Sequence, residues 1–320
     1  MNTTNFGLGC GSFSTANKNL LTESTAIIRS AMEHNVTFLN TADFYGAGES
    51  EMAISHALYH EQRDATYLSL KFGALMAPNG MMYGLDVHPD RIKNYLTHSL
   101  KRLKLDYIDL YQPARIDLAI PVEETIGAIS DLVKEGYVKE IGITQVDAQT
   151  LRKAHATHPI SYVEMEYSLF NRSMEKEIVP VARELGINMV AFGILAHGLL
   201  SGAWTKEKVA QGKRAQNKTT SLLDKDNIEE NILRVEALRK IAEEKQLTLS
   251  QLIHAWALSK GEDILPLIGV SKLSQFEDSI QARQVKLSNE EISRIEKAVP
   301  EDKIKGKSFR QLTFRNGVIV

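Results

Sequence analysis

The feature that most limits the fold of this chain is a repeat. Short apolar runs of strand character alternate with amphipathic helical segments along nearly all of its 320 residues. Strands are expected at Phe6 to Gly9, Val36 to Asn40, Thr66 to Phe72 and Asp106 to Gln112. Four more are expected at Val138 to Ile143, Ser161 to Met165, Ile187 to Phe192 and Ile264 to Ile268. Helical patterns fill the intervals: Thr22 to His34, Glu49 to Tyr59, Pro89 to about Leu103, Pro121 to Lys134, Ala148 to Thr157 and Glu175 to Leu185. In the first of these, Ile27, Ile28, Ala31 and Met32 share one helical face. Pro89 is a proline at a first helical position, and Gly136 and Gly186 are helix stops. Helices are also expected at about Ile228 to Lys245, Leu249 to Ser259, Leu273 to Ala282 and Glu290 to Val299.

Eight strands, each followed by a helix, predict an α/β fold: a (β/α)8 TIM barrel as one domain over residues 1–320, with extra C-terminal helices. A doubly wound sheet would carry its phosphate loop straight after the first strand. The glycine-rich turn found there, Gly7-Leu8-Gly9-Cys10-Gly11, lacks the third glycine and the following helix.

Composition excludes several roles. A formal net charge of −2 offers no electrostatic footprint for nucleic acid or an anionic membrane. No apolar run approaches the ~18 residues of a membrane span, and Met1-Asn2-Thr3-Thr4-Asn5 lacks the basic start of a signal peptide. One cysteine, Cys10, excludes an internal disulfide framework and fits a reducing cytoplasm, which is the expected location. No His or carboxylate cluster has metal-ligand spacing, so no metal is expected.

On such a barrel, chemistry sits at the C-terminal ends of the strands. Tyr45 lies there, between Phe38-Leu39 and a helix opened by Glu49 and Glu51. Lys71 ends the third strand, Thr144 and Gln145 the fifth and Glu164 the sixth, and Gly193 follows the seventh. After the eighth comes Gly269-Val270-Ser271-Lys272, where free backbone N–H groups, a hydroxyl and an ammonium could hold a phosphate. Each has an ordinary reading: a packed tyrosine, a solvated lysine, a plain N-cap. Together on one face they point to an anionic ligand and an acid–base pair, because a lysine near Tyr45 would favour its phenolate and let the phenol act as a general acid.

These residues carry a resemblance to the aldo-keto reductases. It rests on Asn40-Thr41-Ala42-Asp43-Phe44-Tyr45-Gly46, Ser69-Leu70-Lys71-Phe72-Gly73 and Asp106-Tyr107-Ile108-Asp109-Leu110-Tyr111-Gln112. It continues in Gly136-Tyr137-Val138-Lys139-Glu140-Ile141-Gly142-Ile143, Glu166-Tyr167-Ser168-Leu169-Phe170-Asn171-Arg172 and Leu199-Leu200-Ser201-Gly202. The resemblance spans nearly the whole chain. It implies NADPH-dependent reduction of an aldehyde or ketone, with hydride going to the carbonyl carbon and a proton from Tyr45, supported by Lys71, to its oxygen.

Two positions of the catalytic set depart from the family pattern. The acidic residue five before the tyrosine, which pairs the lysine, is Asn40, and the histidine before the arginine is Ala114 in Gln112-Pro113-Ala114-Arg115. Asn40 can still accept a bond from Lys71, but without a carboxylate the lysine is expected to lose its proton at lower pH. Ala114 removes a donor to the carbonyl oxygen, a loss of ~3 kcal/mol of transition-state stabilisation, and leaves space for a bulkier substrate. Arg115 is expected to point away from the face used by position 114. Among the nine histidines, His197 alone is expected on a rim loop, on the phosphate side.

For the cofactor, the resemblance places Phe192 under the nicotinamide and Thr144, Gln145 and Glu164 at its carboxamide, with Glu164 standing where the family usually has glutamine. Gly193, Leu195 and Gly198 match the pyrophosphate loop. Ser271, Lys272 and Gln275, beside Gly269, match the 2′-phosphate region, and Asp278 and Ser279 lie near the adenine. Lys272 favours NADP(H) over NAD(H). The partner implied is a small-molecule carbonyl substrate. Similarity of Gln-Pro-Ala-Arg to pyridoxal-reductase-like members suggests pyridoxal, with the pocket built from the loops Gly73 to His88 and Ala203 to Asp226. The altered positions also fit a nucleotide-binding regulatory subunit with little turnover. Oligomeric state is left open.

Overall fold

The repeat closes on itself. A computed structural model describes residues 5–58, 63–210, 220–309 and 312–320, and in it eight parallel strands form a closed barrel. In chain order the strands are β1 (Gly7–Gly9), β2 (Phe38–Ala42), β3 (Tyr67–Phe72), β4 (Ala74–Met76), β5 (Met82–Leu85) and β6 (Ile108–Pro113). Then come β7 (Val138–Thr144), β8 (Ile160–Glu166), β9 (Asn188–Phe192), β10 (Ile264–Gly269), β11 (Phe314–Arg315) and β12 (Val318–Ile319). The helices are α1 (Lys18–Glu33), α2 (Glu49–Ala57), α3 (Pro89–Leu103), α4 (Val122–Lys134), α5 (Ala148–Thr157) and α6 (Met174–Glu177). They continue with α7 (Val179–Leu185), α8 (Lys206–Ala210), α9 (Lys225–Glu244), α10 (Leu249–Leu258), α11 (Leu273–Ile280) and α12 (Asn289–Ala298). The barrel order is β1-β10-β9-β8-β7-β6-β3-β2, which is the expected (β/α)8 architecture.

Strand alternation sorts the side chains into two cores. Outward-facing Leu39, Leu68, Leu70, Tyr111, Ile141 and Val163 pack into the layer that also buries Ile28, Ile54, Leu96, Ile126 and Leu151 of the helices. The inward positions Phe38, Tyr67, Leu110, Tyr162, Val190, Leu265 and Leu267 fill the barrel itself. Two residues further along the same faces the apolar filling stops: Phe38 gives way to Asn40, Tyr67 to Ser69, Leu110 to Gln112 and Tyr162 to Glu164. This parity places a polar layer at the C-terminal end of the barrel. Just outside the layer, Cys10 is buried with its thiol directed at the Leu8 carbonyl, and burial pushes that thiol far above its ordinary range.

Several elements differ from the sequence expectation. The segment Glu175 to Leu185 is two helices, because Pro180 cannot donate into an uninterrupted ladder and instead sits in the first turn of α7. The stretch Gly73 to His88, expected as loop, contains the hairpin β4–β5 around Asn79-Gly80. The chain end returns as a second hairpin, and β12 pairs with β5 in a sheet of order β11-β12-β5-β4. The Asp117 carboxylate braces its turn by accepting from the backbone N–H groups of Asn316 (2.9 Å) and Gly317 (2.5 Å). Helix α2 ends at Ala57; Tyr59, and residues 211–219 of the stretch Ala203 to Asp226, lie outside the described residues. No helix among the described residues is long and apolar enough to cross a membrane.

Candidate active site

Tyr45 is presented by a turn in which Gly46, Ala47 and Gly48 all take positive φ, at 58°, 53° and 99°. A side chain at position 48 would be strained in φ and would also meet Arg102, whose Cδ would lie 2.6 Å from a Cβ there. Arg102 is itself fixed by the buried Glu51 carboxylate, so the turn is pinned against helix α3. The Tyr45 ring lies along Gly11, where a Cβ would be 3.5 Å from it.

Lys71 reaches the same point from β3. Its ammonium is buried and lies 5.3 Å from the centroid of the Tyr45 ring. The ammonium donates to Asn40 Oδ1 at 2.5 Å and sits 3.1 Å from Glu164 Oε1 and 3.4 Å from Oε2. Glu164 Oε2 also accepts from Asn40 Nδ2 at 2.7 Å and from Gln112 Nε2 at 2.6 Å. Gln112 is held in turn by Ser69 Oγ at 3.1 Å. Gly142 on β7 makes room for it, since a Cβ there would lie 2.7 Å from Gln112 Oε1.

This network overturns the expectation that Lys71 deprotonates early. Burial pulls the ammonium down, but the Glu164 carboxylate and Tyr45 outweigh it, and the net direction is up. Asn40 did not leave Lys71 without a carboxylate; one approaches from the opposite side of the barrel.

The other expected residues are distributed unevenly. Phe192, Gly193, Leu195 and Gly198 line a cleft of about 680 Å³ that starts at Asn40, Tyr45 and Glu164. Gly269, Ser271, Gln275, Asp278 and Ser279 line its far end. Thr144 is buried behind the cleft, its hydroxyl donating to the carbonyls of Pro113 and Ala114, and Gln145 accepts from the Glu166 backbone N–H at 2.9 Å. Lys272 stands on an adjoining surface groove. Arg115 lies past the end of β6, where strand alternation no longer sets its direction: it bonds its neighbour's carbonyl, lies 5.6 Å over Phe309 and stays within electrostatic reach of Glu164 and Tyr45.

At the far end, the free amides expected after β10 have partners already. Gln275 Oε1 accepts from the backbone N–H groups of Ser271 (3.0 Å) and Lys272 (3.2 Å). Glu23 on α1 accepts from that of Leu273 at 2.5 Å. Asp278 accepts from Thr248 and Gln251, and Ser279 shares a hydrogen bond with Ser250. A nucleotide arriving here therefore meets a capped helix start rather than an open one.

Sequence reasoning missed four residues. Gln112 carried the signal of parity with Leu110. Ser250 and His254, four apart on one face of α10, also line the cleft beside His197. His254 is fully buried, which pushes its imidazole down to about 4. Phe309 packs edge-on against Phe192 at 5.9 Å and stacks on His197 at 5.5 Å, and nothing local announced it. Among the described residues, no group of three or more His, Cys, Asp or Glu side chains is placed to hold a metal ion.

A buried lysine thus stands beside a tyrosine at the mouth of a parallel barrel, on a glycine-lined cleft, and comparison with known proteins gives the class. A model of the Aldo/keto reductase family matches residues 5–300. A probable aldo-keto reductase from Glycine max is 36% identical over 306 residues, covering 95% of this chain and 87% of that protein. Among solved structures, a glycerol dehydrogenase from Gluconobacter oxydans superposes with a TM-score of 0.82 at 22% identity, over 93% of this chain and 92% of that one. An aldo-keto reductase from Bacillus halodurans, in its holo form, gives 0.75 at 24% identity, over 94% of each. The chain belongs to the aldo-keto reductase family, whose members are oxidoreductases of carbonyl compounds.

Proposed function

We propose that this chain reduces an aldehyde or ketone to an alcohol with NADPH, Tyr45 giving the proton and Lys71 supporting it. The observation that carries this reading is the buried Lys71 ammonium 5.3 Å from the Tyr45 ring centroid, at one end of the cleft. The cleft's size is that of a cofactor site, and at Gly198 and Gly269 a Cβ would meet nothing within 4 Å, so the backbone leaves room for a ligand to approach closely. A bound reduced nicotinamide supplies the hydride. Phe192 offers an aromatic face at that end, and Gly193, Leu195 and Gly198 flank the middle. Tyr45 holds its proton at Oη and releases it to the carbonyl oxygen. The phenolate left behind is favoured by the adjacent ammonium, an attraction strengthened by burial.

Lys272 and Ser271 favour the 2′-phosphate of NADPH, with Gln275 beside them and Asp278 and Ser279 nearer the adenine. The phosphate must displace the Gln275 and Glu23 caps, so discrimination against NADH is modest. The test is titration with NADPH and NADH by fluorescence, followed by a panel of aldehydes and ketones that includes pyridoxal. Tight NADPH binding with oxidation on adding a carbonyl is the expected result; no binding of either nucleotide overturns the reading.

One observation favours a second reading, a nucleotide-binding regulatory subunit with little turnover: position 114 offers only a methyl group. Binding without turnover across the panel would support it. Ala114→His separates the two, because restoring a donor raises the rate with small aldehydes only where the rest of the machinery works.

A further inference from the structure

A buried ammonium is costly unless a carboxylate faces it and its remaining donors are met. The position from which the family resemblance expects that carboxylate, on β2, holds Asn40. Yet Lys71 is faced by Glu164 from β8, with both carboxylate oxygens within 3.4 Å of Nζ. We propose that the carboxylate serving Lys71 has been relocated across the barrel, so that Glu164 is the positioning residue of the proton-transfer pair and Asn40 is the relay between them.

The hydrogen bonds leave little freedom in this arrangement. Glu164 accepts the Asn40 amide N–H at 2.7 Å, which obliges Asn40 to turn its carbonyl oxygen to the ammonium, where it accepts at 2.5 Å. Gln112 clamps the same carboxylate at 2.6 Å. A carboxylate has acceptors only, so it suits three converging donors: two amide N–H groups and an ammonium. A glutamine at position 164 would have to aim its own NH2 at one of them. The sum of charge is conserved by one acid gained on β8 and one missing from β2. The residue thereby engaged is also one expected at the nicotinamide carboxamide, and two jobs compete for its oxygens.

The titratable groups facing Lys71 are Glu164 from β8, Tyr45 from the turn after β2 and Cys10 after β1; Arg115, at the end of β6, lies within electrostatic reach of Glu164 and Tyr45. Of these, Glu164 is the carboxylate.

The kinetic arm of the test rests on the carbonyl-reductase reading; the spectroscopic arm does not. In cofactor-free protein with 13C-labelled lysine, the Lys71 signal, assigned by its absence in Lys71→Met, is followed against pH by NMR. Glu164→Gln is expected to move its titration down by roughly one to three pH units, and the double variant Asn40→Asp/Glu164→Gln to bring it back. The alkaline limb of the kcat profile should move in the same sense, with NADPH affinity changing less than kcat. An unmoved lysine titration in a folded Glu164→Gln protein, or a double variant no better than the single, overturns the inference. Restored lysine titration without turnover on any carbonyl would keep the inference and sink the reductase reading, so the two failures are told apart.

Discussion

The two ends of the cleft solve the same problem, placing charge beside a ligand, with opposite construction. At the Tyr45 end the polar groups sit on barrel strands and are buried: Asn40, Lys71, Gln112 and Glu164 each lock another. At the Ser271 end the polar groups sit on helix starts, and the amides are closed by Gln275 from within α11 and Glu23 from α1. At the first end each polar group is buried and hydrogen-bonded to another. The second is a set of caps that a ligand can displace at small cost. The proposed function puts the chemistry at the first and the choice of nucleotide at the second.

The sharpest way to break this contrast is Tyr45→Phe, which removes one hydroxyl at the first end. Turnover should fall by about 100-fold or more while NADPH affinity stays close to that of the parent chain, measured by stopped-flow and fluorescence titration. Unchanged turnover would refute the proton-donor role.

A smaller effect comes from a buried titratable group at the other end, His254. Folded His254 takes a proton only near pH 4, whereas an unfolded histidine takes one near 6.5. Over that window the unfolded chain binds more protons, so stability falls as pH falls, by about 3 kcal/mol in total. Urea unfolding of the parent chain and His254→Gln from pH 7 to 4 should show the parent losing more. Parallel curves would mean the imidazole is not held neutral.

The smallest effect is expected at the capped helix start. Glu23→Gln removes a carboxylate from the place where a 2′-phosphate would sit, and should improve NADPH affinity over NADH by about twofold to fivefold. The gain should shrink with added salt. Equal improvement for both nucleotides would show that Glu23 restricts entry rather than discriminating phosphate.

Much of the fold could be read from the chain because strand alternation and helix signals are local. The same parity that buried Phe38 and Tyr67 in the barrel put Asn40 and Lys71 at its rim, so the Tyr45–Lys71 juxtaposition was legible. Glu164 was legible as a rim residue but not as the partner of Lys71. That contact spans 93 positions, and β6 and β7 intervene between the two strands in the barrel order. Nor does a glutamine-to-glutamate change at one position advertise compensation for an aspartate missing at another. The pairing of β12 with β5 escaped for a related reason: neither short strand is distinctive until the other is beside it. The caps on α11 were hidden because Glu23 looks like any exposed helical acid until α1 packs beside α11.

Cys10 has a use as a clock. The chain carries a single thiol, and that thiol is buried beneath the rim beside β1 and held in its unreactive form. A soluble alkylating agent can reach it only when an opening of the structure uncovers it, so the labelling rate counts those openings one molecule at a time. Since Cys10 follows β1, which lies between β2 and β10 where the ring closes, that count reports how often this part of the rim opens, with no engineered probe.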